Sequence, residues 1–90
     1  MKSKRTKKFK ELFDELPSQI QENAKKQFRL FSENPAHPSL RTKLIGSTRN
    51  KKYKVCEVTV GMGYRATYFV DEDVCVWFWI GTHTLFDKKY

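Results

Sequence analysis

The apolar pattern of this chain changes period once, near residue 40, and that change limits the folds open to it. Before it, Phe9, Leu12, Phe13 and Leu16 recur at helical spacing, and Ile20, Ala24, Phe28 and Phe31 do so again, with Leu30 at the margin. Thr6 is a candidate cap for the first helix, which spans about residues 7–15 and ends at Pro17. Ser18 is the expected cap of the second, and Asn34-Pro35 stops it. After residue 40 the apolar residues alternate. Strands are expected at Leu40–Ile45, Tyr53–Val60, Tyr64–Val70 and Val74–Gly81. Residues 1–5 read as a tail or a short edge strand. Helices followed by strands predict an α+β fold: an N-terminal helix hairpin on one face of a mainly antiparallel, three- to four-stranded sheet. The 90 residues form a single domain.

Turn positions set which residues share a face. A turn centred on Met62 pairs Val60 with Tyr64, Val58 with Ala66 and Cys56 with Tyr68. A turn centred on Glu72 pairs Tyr68 with Val76, Ala66 with Phe78 and Tyr64 with Ile80. These residues make an apolar face that suits the helices. The opposite face then carries Val55, Glu57, Thr59, Arg65, Thr67, Phe69, Cys75, Trp77 and Trp79. Arg65 is expected opposite Trp79 and diagonal to Glu57. His83 shares the parity of Trp79 if the strand runs on past Gly81. Cys56 and Cys75 are expected on opposite faces, which argues against a disulfide.

The net charge is +8 and is concentrated in two stretches without acids, residues 1–10 and 41–54. Such clusters suit a polyanion, either nucleic acid or an acidic protein. An open face with Arg, His, Glu and Trp beside them holds the parts for RNA. Arginine grips phosphate, tryptophan stacks bases, and histidine exchanges protons near neutral pH. Each residue also has a structural reading. Arg65 can pair with Glu57 or stack on Trp79, and the tryptophans can lie beneath Leu85 and Phe86. The histidines and cysteines lack metal-ligand spacing, and no glycine-rich phosphate loop or nucleophile elbow is present. No apolar run reaches the ~20 residues of a membrane span. The N-terminus lacks the apolar stretch of a signal peptide, so a cytoplasmic protein with reduced thiols is expected.

Three segments carry a resemblance: Asn34-Pro35 through Ser39-Leu40-Arg41-Thr42-Lys43-Leu44, then Gly63-Tyr64-Arg65-Ala66, then Trp79-Ile80-Gly81-Thr82-His83. Together they resemble the RelE/ParE toxin superfamily of type II toxin–antitoxin systems, and the Gly-Thr-His ending is most similar to the YafQ-type branch. The resemblance implies a ribosome-dependent, metal-independent mRNA endonuclease that uses no cofactor, and an antitoxin as partner. It implies that Arg65 stabilises phosphate charge and that His83 is the general acid or base. Phe86 falls where relatives carry an aromatic residue, and it can stack a base but cannot move a proton. Arg41, Lys43, Lys52 and Lys54 are implied as cations around the RNA. Strand parity adds Glu57 as a base or as a salt-bridge partner of Arg65. The superfamily also contains toxins directed at DNA gyrase, and binding modules without catalysis are a further alternative.

Overall fold

The computed structural model describes residues 2–89. Its elements are β1 (Lys2–Arg5), α1 (Lys7–Asp14), α2 (Ser18–Glu33), β2 (Lys43–Leu44), β3 (Val55–Gly61), β4 (Tyr64–Asp71), β5 (Val74–Thr82) and α3 (His83–Lys89). Short 3-10 turns lie at Pro38–Leu40 and Gly46–Thr48. The five strands form one mixed sheet in the order β1-β5-β4-β3-β2. The expected α+β architecture holds, with a helix hairpin against the sheet. The additional strand is β1, which joins the edge parallel to β5 and pairs Lys2 with Val74 and Arg5 with Trp77.

Local chemistry explains the helix ends. The Thr6 side chain accepts from the Phe9 N–H at 3.1 Å and caps α1, as its sequence position suggested. Pro17, not Ser18, is the N-cap of α2, and its carbonyl accepts from Gln21 at 3.0 Å. The Gln21 amide in turn donates at 2.9 Å to the Phe13 carbonyl, which also accepts from the Leu16 N–H at 3.1 Å, and so ties α2 to the end of α1. The hairpin buries Phe9, Ile20, Ala24 and Phe31 against Val58, Ala66, Tyr68 and Ile80. The expected strand at 40–45 is shorter: Leu40 ends a 3-10 turn inside the core, and only Lys43 and Leu44 pair with β3.

The register of the last hairpin differs from the expected one, for a reason that lies in its turn. Glu72 and Asp73 both adopt positive φ, 47° and 68°, which makes a two-residue turn between β4 and β5. Its centre falls between them, so Tyr68 pairs with Trp77 and Phe69 with Val76. This slip of one residue exchanges the faces of Cys75, Val76 and Trp77. Trp77 therefore sits in the helix-side core, 3% exposed, with Phe28 and Phe31 rings at 5.0 and 5.1 Å. An irregularity then shifts the pairing again, so that Thr67 faces Trp79 and Ala66 faces Ile80. Ile80 returns to the helix face and Trp79 to the outer face, as expected. Phe78, expected beneath the helices, packs outward on Phe69 at 5.6 Å. In the first hairpin Cys56–Tyr68 and Val58–Ala66 pair as expected, whereas Tyr64 faces Gly61 rather than Val60.

The cysteines also require correction. Both belong to the helix-side core rather than to opposite faces. They lie on β3 and β5, either side of β4, so their strands are about 9–10 Å apart, beyond the ~7 Å Cα limit for a disulfide. Burial pushes both thiols above the usual range, and it raises Tyr68 between them as well.

Candidate functional site

The outer sheet face is only partly covered, by α3. Where β5 ends, the Thr82 side chain accepts from the Leu85 N–H at 3.2 Å, and the chain turns into a helix. The His83 N–H donates to the Gly63 carbonyl at 2.6 Å, which ties the start of α3 to the first hairpin turn. Residues 83–89 are thus helical, and the strand does not run on to His83. The helix brings Phe86 down onto Ile45 and Val55, with Phe78 and Trp79 packed around them.

An open cleft of about 280 Å³ lies beside this cluster, lined by Lys43, Ile45, Ser47, Glu57, Phe86 and Asp87. Glu57 stands between Lys43 on β2 and Thr67 on β4. One carboxylate oxygen, Oε1, is 3.8 Å from the Lys43 ammonium. The other, Oε2, and the Thr67 hydroxyl are both buried and have no hydrogen-bond partner among the described residues. Buried polar groups are normally satisfied, so two exceptions on neighbouring strands make this spot a candidate site.

His83, its side chain 51% exposed, does not itself line the cleft but touches two residues that do, Phe86 and Asp87. Its Nδ1 lies 3.4 Å from Asp87 Oδ2, one helical turn along, and its ring lies nearly parallel to Phe86 at 6.2 Å. If the neutral ring carries its proton on Nδ1, the nitrogen nearer Asp87, Nε2 is left as an acceptor. In the protonated ring Nε2–H becomes a donor.

Arg65 lies on the same outer face, diagonal to Glu57 as expected, but opposite Thr59 and Gly81 rather than Trp79. Its guanidinium donates to the Tyr64 carbonyl at 3.0 Å, and no carboxylate pairs with it among the described residues. Trp79 lies across Gly81: a Cβ built there would stand 2.8 Å from the indole. The indole thus reaches the row that holds Arg65. Phe86, expected to offer a stacking face, is 9% exposed and forms part of the cleft wall.

The other cations are dispersed. Lys43 enters the cleft, whereas Lys52 and Lys54 lie exposed on the loop before β3. Arg41 lines a separate groove with Asn23, Lys26 and Gln27 of α2. Sequence reasoning missed Asp87. The spacing of four from His83 was the available signal, legible only once residues 83–89 are read as a helix. Among the described residues no cluster of three His, Cys, Asp or Glu side chains is placed to hold a metal ion, and no helix is long and apolar enough to cross a membrane.

No family model matches the sequence, and no curated protein matches it in sequence. Solved structures do. An archaeal RelE–RelB complex from Pyrococcus horikoshii aligns over 90% of this chain and 92% of its own, with a TM-score of 0.71 at 13% identity. A RelB–RelE antitoxin–toxin complex from Methanococcus jannaschii covers 96% of both chains, with a TM-score of 0.72 at 14% identity. A copper-bound mutant toxin from Helicobacter pylori aligns over 94% of this chain and 97% of its own, with a TM-score of 0.64 at 17% identity. The class defined is a small α+β domain with a helix hairpin on a mixed sheet. More particularly, the chain has the fold of the RelE-type toxins.

Proposed function

We propose that this chain is the toxin of a type II toxin–antitoxin system and a ribosome-dependent, metal-independent mRNA endonuclease of the cytoplasm. One observation carries the reading: on a RelE-type fold, the outer-face cleft is lined by Glu57, whose carboxylate has an oxygen without a partner among the described residues, and by Phe86 and Asp87, the two residues that the exposed His83 imidazole touches. The reaction assigned to it is transesterification within the RNA. Glu57 takes the proton of the 2′-hydroxyl, whose oxygen forms a bond to the adjacent phosphorus. His83, protonated and oriented by Asp87, gives a proton to the 5′-oxygen as the P–O bond breaks. The products are a 2′,3′-cyclic phosphate and a 5′-hydroxyl, with no net gain or loss of protons. Arg65 and Lys43 stabilise the added charge on the phosphorane. Lys52, Lys54 and Arg41 hold RNA further out, and Trp79 and Phe86 shape the wall. The antitoxin partner is expected to meet the basic surface with an acidic, partly disordered segment.

Induced expression beside His83→Ala, with mapping of RNA ends, tests this. New 5′-hydroxyl ends in translated mRNA are expected. His83→Ala should lower their rate of appearance by about 10²–10⁴-fold, the usual worth of a positioned proton donor. Growth arrest with intact mRNA overturns the nuclease reading and points instead to a protein target such as gyrase.

A further inference from the structure

A second feature of the outer face is not used by the cleft. The ring of Tyr53, in the loop before β3, packs on Phe69 at 4.8 Å, and Phe69 packs on Phe78 at 5.6 Å. Phe78 rests on the cluster that contains Phe86. These rings lead from the basic loop toward the cleft. They are not sealed: Tyr53 is 37% exposed, and Phe69 and Phe78 are half-buried. The Lys52 ammonium lies 5.4 Å from the Tyr53 ring centre. Arg49, Lys51, Lys52 and Lys54 are all exposed, and none pairs with a carboxylate among the described residues.

A structural use does not account for this arrangement. An exposed tyrosine on a loop adds little to a core, and adjacent cations repel one another when nothing neutralises them. Partly exposed rings beside cations without a carboxylate partner are instead what a single nucleic-acid strand requires: a surface for its bases and counter-charges for its phosphates. The acidic turn at Asp71, Glu72 and Asp73 follows closely after Phe69 and repels phosphate there. An acidic protein segment would use the cations but has little use for the ring faces.

We propose that Tyr53, Phe69 and Phe78 form a stacking platform for single-stranded RNA, with Lys52 and Lys54 holding its phosphates. The platform deepens the nuclease reading and rests on its assignment of RNA as substrate. It would hold the strand at a distance from the bond that breaks.

The test uses the full-length chain and a fluorescent 2′-O-methyl RNA dodecamer, which has no free 2′-hydroxyl to attack and so reports binding alone. Stacking of a base is worth ~1–3 kcal/mol, so Tyr53→Ala should weaken binding by roughly 5- to 150-fold, while Tyr53→Phe retains it. Lys52→Gln and Lys54→Gln should each reduce the slope of log affinity against log salt by about 1. Phe69→Ala risks the fold, and Tyr53, on the loop, does not share that risk. Unchanged binding in Tyr53→Ala overturns the platform. So does a poly-glutamate peptide that binds with the same dependence on Tyr53. RNA binding through Tyr53 in a chain that leaves ribosomal mRNA intact would sink the nuclease and keep the platform. Cleavage that persists with RNA binding insensitive to Tyr53→Ala would do the reverse.

Discussion

The two faces of the sheet use aromatic residues for opposite ends. Under the helices, the Trp77 ring touches those of Phe9, Phe28, Phe31 and Tyr68, all within 6.4 Å, in a core that closes over them. On the outer face, Tyr53, Phe69, Phe78, Trp79 and Phe86 form a second series, beside a buried carboxylate oxygen and a buried hydroxyl that lack partners among the described residues. One face follows the rules that make a chain stable, and the other departs from them locally. Such departures concentrate where a protein does its work, because a site must hold groups ready for a ligand that is absent during folding.

The largest effect that could break this contrast is a truncation under the helices. Trp77→Ala should cost about 3–5 kcal/mol, a large part of the ~5–15 kcal/mol typical of a whole domain. The urea midpoint should collapse, or the chain should fail to fold. Tyr53→Ala on the outer face should stay within about 1 kcal/mol of the unaltered chain. Equal losses would mean that the outer rings are core as well.

Next in size is the contact of Trp79 with Gly81. Replacing a strand glycine by alanine normally helps a little. Here the new Cβ meets the indole at 2.8 Å, so Gly81→Ala should cost roughly 1–3 kcal/mol. With Trp79→Ala present, the same change should cost no more than about 0.5 kcal/mol, a coupling that a double-mutant cycle measures. Costs that simply add would show that the glycine serves another purpose.

Gly81 also marks how far the sequence could be read. The helix hairpin was legible because Phe9, Ile20, Ala24 and Phe31 hold a helical period over whole turns. The faces of β3 and β4 were legible because the glycine-rich turn allowed few alternatives, and this put Glu57 and Arg65 on the outer face. The face of Trp77 was not legible. It depends on whether the Asp71-Glu72-Asp73 turn has its centre on a residue or between two, and acidic residues accept either. A bulge then restored the parity for Trp79. The parallel pairing of β1 is a contact between distant segments with no local signature. The helix α3 is too short for its period to stand out, so Asp87 was invisible as the partner of His83.

Two buried threonines sharpen the contrast further. Thr48 is satisfied: its hydroxyl donates to Ile45 at 2.7 Å and accepts from Val55 at 2.9 Å. Thr67 has no partner for its hydroxyl among the described residues. Thr48→Val should therefore cost about 1–3 kcal/mol, because it leaves the Val55 N–H buried without an acceptor. Thr67→Val removes only an unmet need and should be neutral or stabilising by up to about 1 kcal/mol. A matched loss at Thr67 in thermal melts would show that its hydroxyl has found a partner, such as a buried water.

The smallest effect is one of pH, and it belongs to the helix face. Desolvation raises the thiols of Cys56 and Cys75 and the phenol of Tyr68, although the Tyr68 hydrogen bond pulls Cys56 partly back. A group that is raised on folding holds its proton more tightly in the folded chain than in the unfolded one. Its contribution is complete below the unfolded pKa, about 8.5 for a thiol and about 10 for a phenol, and it fades as pH climbs toward the folded values. Stability should therefore be level through neutral pH and fall above about pH 8.5, and Cys56→Ser with Cys75→Ala should flatten the first part of that fall. Iodoacetamide at pH 8 should modify both thiols far more slowly in the folded chain than in urea, since the thiolate is the reactive form. Rapid alkylation of the folded protein would place a cysteine on the open side of the sheet and erase the division between the faces.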